Sequence, residues 1–255
     1  MKLALECPTD FMSTLLPETD FDFLLTHLAL KYPDYISGYQ KMKSLGRYSV
    51  LDNGTNEQGH PCTIKEIDKV ASLVNPDVIV PPDYLGEGER TTQAILECRK
   101  IWGHSKILPV LQGSDIQEIE TAFQVLRNFG FSTIAVPYDI GIPRASISKV
   151  SLNTLGVNRH FTISSLLKRD GAALIHLLGL NNLSEPSWYK KDFPNRIISI
   201  DTGAPFTNAS MGIRFGQGLL TPKGVFIDYS KRGYDYPEET LSLAKANIKF
   251  LKELL

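Results

Sequence analysis

Short apolar runs alternate along the chain with longer stretches whose apolar residues recur at helical spacing. KLALE (2–6), YSVLDNG (48–54), DVIVPPDY (77–84), KILPVLQG (106–113), STIAVPYD (132–139), AALIHLLGL (172–180), IISID (197–201) and GVFIDYS (224–230) read as strands. None alternates strictly between apolar and polar, which predicts burial of both faces. Between them, CTIKEIDKVASLV places Ile64, Ile67, Val70, Ala71 and Val74 on one helical face behind Thr63 as N-cap. SDIQEIETAFQVLRNFG opens on a Ser114-to-Glu118 pattern, puts Ile116, Ile119, Phe123 and Leu126 on one face and closes on Gly130. RTTQAILECRKIW, HFTISSLLKRDG and SEPSWYKKDF read as further helices. PEETLSLAKANIKFLKELL is another, with Pro237 in its first turn and lysines toward its end. The stretch from about residue 10 to 45, divided by Pro17 and Pro33, reads as helix or loop. About eight such units in 255 residues predict an α/β chain, a single (β/α)8 TIM-type barrel, with residues 1–255 as one domain. No Gly-x-Gly-x-x-Gly follows an early strand, so an open dinucleotide-binding sheet is disfavoured.

Polar groups recur at one end of the strands. Asp52, Asp83, Gln112, Tyr138 with Asp139, Gly179 and Asp201 lie at or just past their C-terminal ends. In a closed barrel these ends converge on one rim. Taken singly, each has a plainer role. Asp201 would cap the following helix, Asp52 in Asp-Asn-Gly would serve a turn, Asp83 a turn or cap, and Gln112 the backbone of a loop. Their shared register favours a site. Two carboxylates, Asp201 and Asp52, supply one nucleophile and one general acid or base. A carboxylate nucleophile suits attack at an anomeric carbon through a covalent glycosyl intermediate. Asp83 with Gln112 can read a planar edge of donors and acceptors such as guanine presents.

Composition narrows the partners. A formal charge of −1 and a pI near 6.5 give no global positive field for nucleic acid, although a local basic rim would not register in the sum. Cys7, Cys62 and Cys98 are odd in number and far apart, which suits a reducing compartment and offers no Cys-x-x-Cys zinc pair. The opening MKLALECPTDF turns acidic too soon for a signal peptide, and no run reaches membrane-spanning length. The expectation is a soluble, cytoplasmic protein. His176, inside the apolar ALIHLL, reads as a core or supporting histidine rather than a catalytic one.

LDNG, IVPPDY, ILPVLQG, IAVPYD, IHLLGL and SIDTGAP stand in the order and rough spacing of the tRNA-guanine transglycosylase superfamily. The ordered set, from Tyr48 to Phe206, resembles that family more than any one motif does. The resemblance implies Asp201 as the nucleophile that displaces guanine and Asp52 as the acid/base that serves the leaving and entering bases. It implies Asp83, Gln112 and Gly113 at the base, Leu178 and Gly179 along its slot, and Pro137 and Tyr138 reshaping the pocket. Asn53, Asn56 and Glu57 depart from the family's usual residues, which bears on the second stacking face. The tRNA enzymes carry a Cys-x-Cys-x-x-Cys and His zinc site after the nucleophile, and no cysteine follows Cys98 here. That departure and the shorter chain resemble the compact DNA-guanine transglycosylase (DpdA-like) branch of phages and some bacteria. This branch exchanges guanine in DNA for a 7-deazaguanine such as preQ0, with no cofactor. The alternatives are tRNA as substrate, or a non-catalytic nucleic-acid-binding barrel subunit. DNA would require base flipping or a single strand, and a basic rim for the backbone. Arg144, Lys149, Arg159, Lys190, Lys191, Arg214, Lys231 and Arg232 are the residues available for that rim, each with the alternative of an ordinary solvated charge.

Overall fold

Parallel strands cannot be joined by tight turns, so each needs a crossover that covers the sheet. The computed structural model, which describes residues 1–142, 149–180, 182–216 and 227–255, meets that need with helices. The strands are β1 (Lys2–Leu5), β2 (Phe21–Leu25), β3 (Ser49–Asp52), β4 (Val78–Ile79), β5 (Thr133–Pro137), β6 (Leu174–Leu178) and β7 (Ile197–Thr202). They pair in the order β4-β3-β2-β1-β7-β6-β5. All pairings are parallel, with Ala4 opposite both Phe21 and Asp201.

Residues 107–111 close the ring between β4 and β5. Ile79 bridges Ile107 and Val110 bridges Ala135, both in parallel. Leu108 N–H donates to Ile79 O at 2.9 Å, and Ala135 N–H donates to Pro109 O at 2.8 Å. Pro109 has no N–H to offer, which limits this stave to isolated bridges. Eight parallel staves in chain order, closed by the β1–β7 pairing, make a (β/α)8 barrel.

The expected fold is therefore present with one strand in the wrong place. FDFLL, inside the stretch expected to be helix or loop, is β2. GVFIDYS is not a stave. Its residues 224–226 lie outside the described residues, 227–230 form no strand, and β1 already has a neighbour on each side.

The helices are α1 (Thr9–Leu15), α2 (Thr26–Lys31), α3 (Pro33–Ser44), α4 (Thr55–Gln58), α5 (Ile64–Val74), α6 (Gly88–Trp102) and α7 (Ile116–Asn128). They continue with α8 (Leu152–Arg169), α9 (Glu185–Asp192), α10 (Ala204–Ser210) and α11 (Thr240–Leu254). Thr63 caps α5 in a reciprocal box with Glu66, as expected. Asp115, not Ser114, caps α7 and accepts from the Gln117 and Glu118 amides. Ser114 bonds the Glu118 carboxylate instead. Pro237 precedes α11, with its carbonyl accepting from the Thr240 amide. Between barrel and helices the core is aliphatic, with Leu5, Leu51, Ile134, Ile175 and Ile200 inaccessible to solvent. Among the described residues no helix is long and apolar enough to cross a membrane.

Candidate functional site

Alternate residues of a strand face opposite sides, and the inward set of each stave divides between two hollows. A wide one, about 650 Å³, opens at the N-terminal ends and is walled mainly by apolar and aromatic residues such as Phe21, Tyr48, Val50 and Phe131. A narrow one, about 80 Å³, lies at the C-terminal ends. The larger space is not where the chemistry gathers. The narrow hollow is lined by Glu6, Asp52, Glu57, Asp83, Asp139 and Asp201, and by no Lys, Arg or His among the described residues.

Asp201 is the penultimate residue of β7 and is 3% exposed. Its Oδ1 lies 3.0 Å from His176 Nε2, and the Gly179 N–H donates to Oδ2 at 3.3 Å. Gly179 has φ +69°, and a Cβ there would stand 3.3 Å from the Tyr138 ring, so both backbone and space ask for glycine. The carbonyls of Leu178 and Gly179 each accept from Arg159 Nη1 at 2.9 Å. Arg159 is fully buried and paired with Glu185, itself 1% exposed. The expectation that Arg159 belonged to a basic rim is corrected: it is an internal brace for the loop beside Asp201.

Asp52 ends β3 and accepts the Gly54 N–H at 2.7 Å. Burial pushes its carboxyl well above the usual range, and the Glu57, Asp83 and Asp201 charges add to that. Asp83 is held differently. Asn53 Nδ2 donates to its Oδ1 at 2.8 Å, and Gln112 Nε2 donates to its Oδ2 at 2.5 Å. Gln112 Oε1 in turn accepts the Gly86 N–H at 3.2 Å. The two residues expected to read a base thus bond each other in the wall, each oxygen keeping acceptor capacity toward the hollow. Asn53 and Thr55 build this wall: Asn53 also bonds Pro81 O, and its Oδ1 accepts from both the amide and hydroxyl of Thr55.

Pro137, Tyr138, Leu178 and Gly179 line the hollow. Gly113 does not. A Cβ there would meet the Ile119 side chain at 2.7 Å, so Gly113 lets α7 pack closely and is no base contact. Tyr138, just after β5, donates a 3.5 Å hydrogen bond to Asn56 Oδ1, in α4 after β3. A space of this size is well below the roughly 300 Å³ of a typical ligand pocket, so a purine needs these lining side chains to part.

Sequence reasoning missed five lining residues, Glu6, Phe23, Leu25, Thr55 and Leu85. Glu6 lies one residue past β1 and obeys the same rule that singled out Asp52 and Asp201. Burial, followed by the charges of Glu57, Asp201 and Asp52, raises its carboxyl well above the usual range. Phe23 and Leu25 were hidden with β2. Among the described residues expected for a basic rim, none lines the hollow. Lys149, Lys190, Lys191 and Arg214 are exposed. Lys231 lies over the Tyr236 ring, and Arg232 pairs with Asp10 and Asp34. Arg144 lies outside the described residues. No cluster of His, Cys, Asp and Glu among the described residues is arranged to hold a metal ion.

The raised carboxyls make a pH prediction. Glu6, Asp52 and Asp83 bind protons more tightly in the folded chain than in the unfolded one. Stability from this source is complete below the unfolded values near 4 and is lost as pH rises through the folded values. Glu6→Gln removes one costly ionisation. The variant should gain about 2–4 °C in Tm over wild type at pH 8, the shift that about 1 kcal/mol gives a chain of this size, and nothing at pH 4. Thermal melts across pH check it; a gain independent of pH would assign the effect to packing.

No family model and no curated protein matches the chain. Among solved structures, N-(5'-phosphoribosyl)anthranilate isomerase from Pyrococcus furiosus is similar over 99% of this chain and 98% of its own, with 8% identity and a TM-score of 0.46. The barrel assignment rests on the ring of strand pairings and takes nothing from that likeness.

Proposed function

We propose that the chain is a base-exchanging transglycosylase. The observation that supports this reading best is the meeting of Asp201 and Asp52, from β7 and β3, on one hollow with the Asp83–Gln112 pair in its wall. Asp201 attacks C1′ of a guanosine residue, and the bond from C1′ to the base breaks as Asp52 delivers its proton to the departing guanine. The entering 7-deazaguanine returns a proton to Asp52 as its ring nitrogen attacks C1′, and the Asp201–C1′ bond breaks. Two displacements retain configuration. A carboxyl whose hold on its proton is strengthened by burial suits the first of these proton transfers.

DNA is the polymer we favour. The resemblance to the compact branch supports it, as does the lack of any cysteine after Cys98 for the zinc site of the tRNA enzymes. Among the described residues the hollow carries only acidic charge, which favours leaving the phosphates of a flipped nucleotide outside it.

The test offers guanine-containing DNA and tRNA together with labelled preQ0. Label is expected in DNA. Label in tRNA alone would move the reading to tRNA, and none in either would leave a non-catalytic barrel. Asp52→Asn should slow exchange by about 10²–10⁴-fold, the range general acid–base catalysis supplies. Full activity in that variant would remove Asp52 from its role.

A further inference from the structure

Three side chains, Ser199 half-buried and His176 and Asp201 buried, form a line through the barrel interior. Ser199 Oγ lies 2.8 Å from His176 Nδ1, and His176 Nε2 lies 3.0 Å from Asp201 Oδ1. His176 is 2% exposed, and its ring faces Phe23 at 6.0 Å between centroids and Phe21 edge-on at 6.2 Å. The imidazole therefore has little freedom to turn. Ser199 and His176 line the wide hollow at the opposite end of the barrel, while Asp201 lines the narrow one.

The order Ser–His–Asp is that of an acyl-transfer triad, but the surroundings do not suit that chemistry. An oxyanion needs free N–H donors aimed at one point beside the serine. Ser199 stands in mid-strand, paired with Lys2 on one side and His176 on the other. The line makes more sense read from its other end. An ionised carboxylate can only accept, so Nε2 carries the hydrogen toward Asp201, and the Ser199 hydroxyl donates to Nδ1.

We propose that His176, locked in its Nε2–H tautomer by Ser199, is the positioning residue that aims the Asp201 carboxylate at the sugar; this rests on the base-exchange reading above. With Oδ1 tied to His176, the more loosely held Oδ2 forms the bond to C1′. The Gly179 N–H and the Arg159 brace steady it from the far side. His176 does not touch substrate and exchanges no proton with it.

The test uses full-length wild type, His176→Phe, His176→Gln and Ser199→Ala, with a guanine-containing DNA oligonucleotide and preQ0. Phenylalanine keeps the ring and deletes the donor, whereas the glutamine amide reaches Asp201 as a donor. His176→Phe should slow single-turnover guanine release by about 10²-fold, the scale of losing one preorganised donor, while the KM for preQ0 stays within about two-fold. His176→Gln should recover most of the rate. Ser199→Ala should lose less, about three- to ten-fold, since one neutral hydrogen bond of about 1 kcal/mol goes. Nitrogen-15 NMR of wild type should show the Nε2–H tautomer at His176, and Ser199→Ala should mix the tautomers.

A full rate in His176→Phe, an Nδ1–H tautomer in wild type, or equal losses for Phe and Gln in folded protein would each overturn the assignment. So would Ser199-dependent hydrolysis of p-nitrophenyl acetate, which would restore the triad. Failure of wild type to release any guanine would instead defeat the base-exchange reading, and the NMR result would still report whether the hydrogen-bonded line exists.

Discussion

Asp201→Asn is expected to abolish guanine release and the covalent complex with nucleic acid while leaving the barrel folded. The loss should reach about 10⁴-fold or more, the scale that removal of a covalent nucleophile produces in other enzymes. Asparagine keeps the size of the side chain, and its amide oxygen can still accept from His176 Nε2 or the Gly179 N–H. The fold should therefore survive, and the missing step is bond formation to C1′. Trapping with a guanine-containing oligonucleotide on a denaturing gel reads the covalent complex directly. A slower-migrating band that persists in Asp201→Asn would transfer the nucleophile to another carboxylate of the hollow, of which Glu6, Glu57 and Asp139 are unassigned.

Arg159→Met is expected to cost about 3–5 kcal/mol of stability, measured by denaturant unfolding. Breaking a buried pair leaves its partner charged and unsolvated, and here the partner is Glu185, almost inaccessible in α9. The methionine also abandons three carbonyls, those of Val136, Leu178 and Gly179. The double variant Arg159→Met with Glu185→Gln should recover a substantial part of the loss, because the stranded charge goes with it. Guanine release should stay low in the double variant, since the loop whose N–H meets Asp201 has lost its anchor. If stability returned and activity with it, the pair would hold the fold and not the nucleophile's surroundings.

The site was more legible in the sequence than the strand count. Asp52, Asp83, Gln112, Tyr138, Gly179 and Asp201 announced themselves because each follows a short apolar run, and the ring gathers those ends. Glu6 obeyed the same rule and was passed over, although KLALE reads as a strand. β2 was hidden for a different reason. FDFLL passes straight into THLALK with no turn residue between them, so strand and helix merge into one apolar stretch. GVFIDYS looked more like a strand than FDFLL did, but pairing is settled by neighbours and not by local pattern. Arg159 could not have been found. An arginine in a helix reads as a solvated charge until the acid that pairs with it, 26 residues on, is seen beside it. His176 reads from the sequence as a core or supporting histidine and is buried, but its neighbours Ser199 and Asp201 are brought to it only by the β6–β7 register.

The pairing of β1 with β7 has a consequence for how the protein is made. During synthesis β1 emerges first and soon finds β2, but its other edge waits for a partner encoded almost the whole chain later. At ordinary translation speeds of about 5–20 residues per second, that edge stays open for roughly 10–40 s. An unpaired strand edge is a template for joining other chains, so the nascent barrel is most in need of a chaperone just before Asp201 arrives. Asp201 and ring closure come in the same strand, so no half-made barrel leaving the ribosome carries the complete hollow.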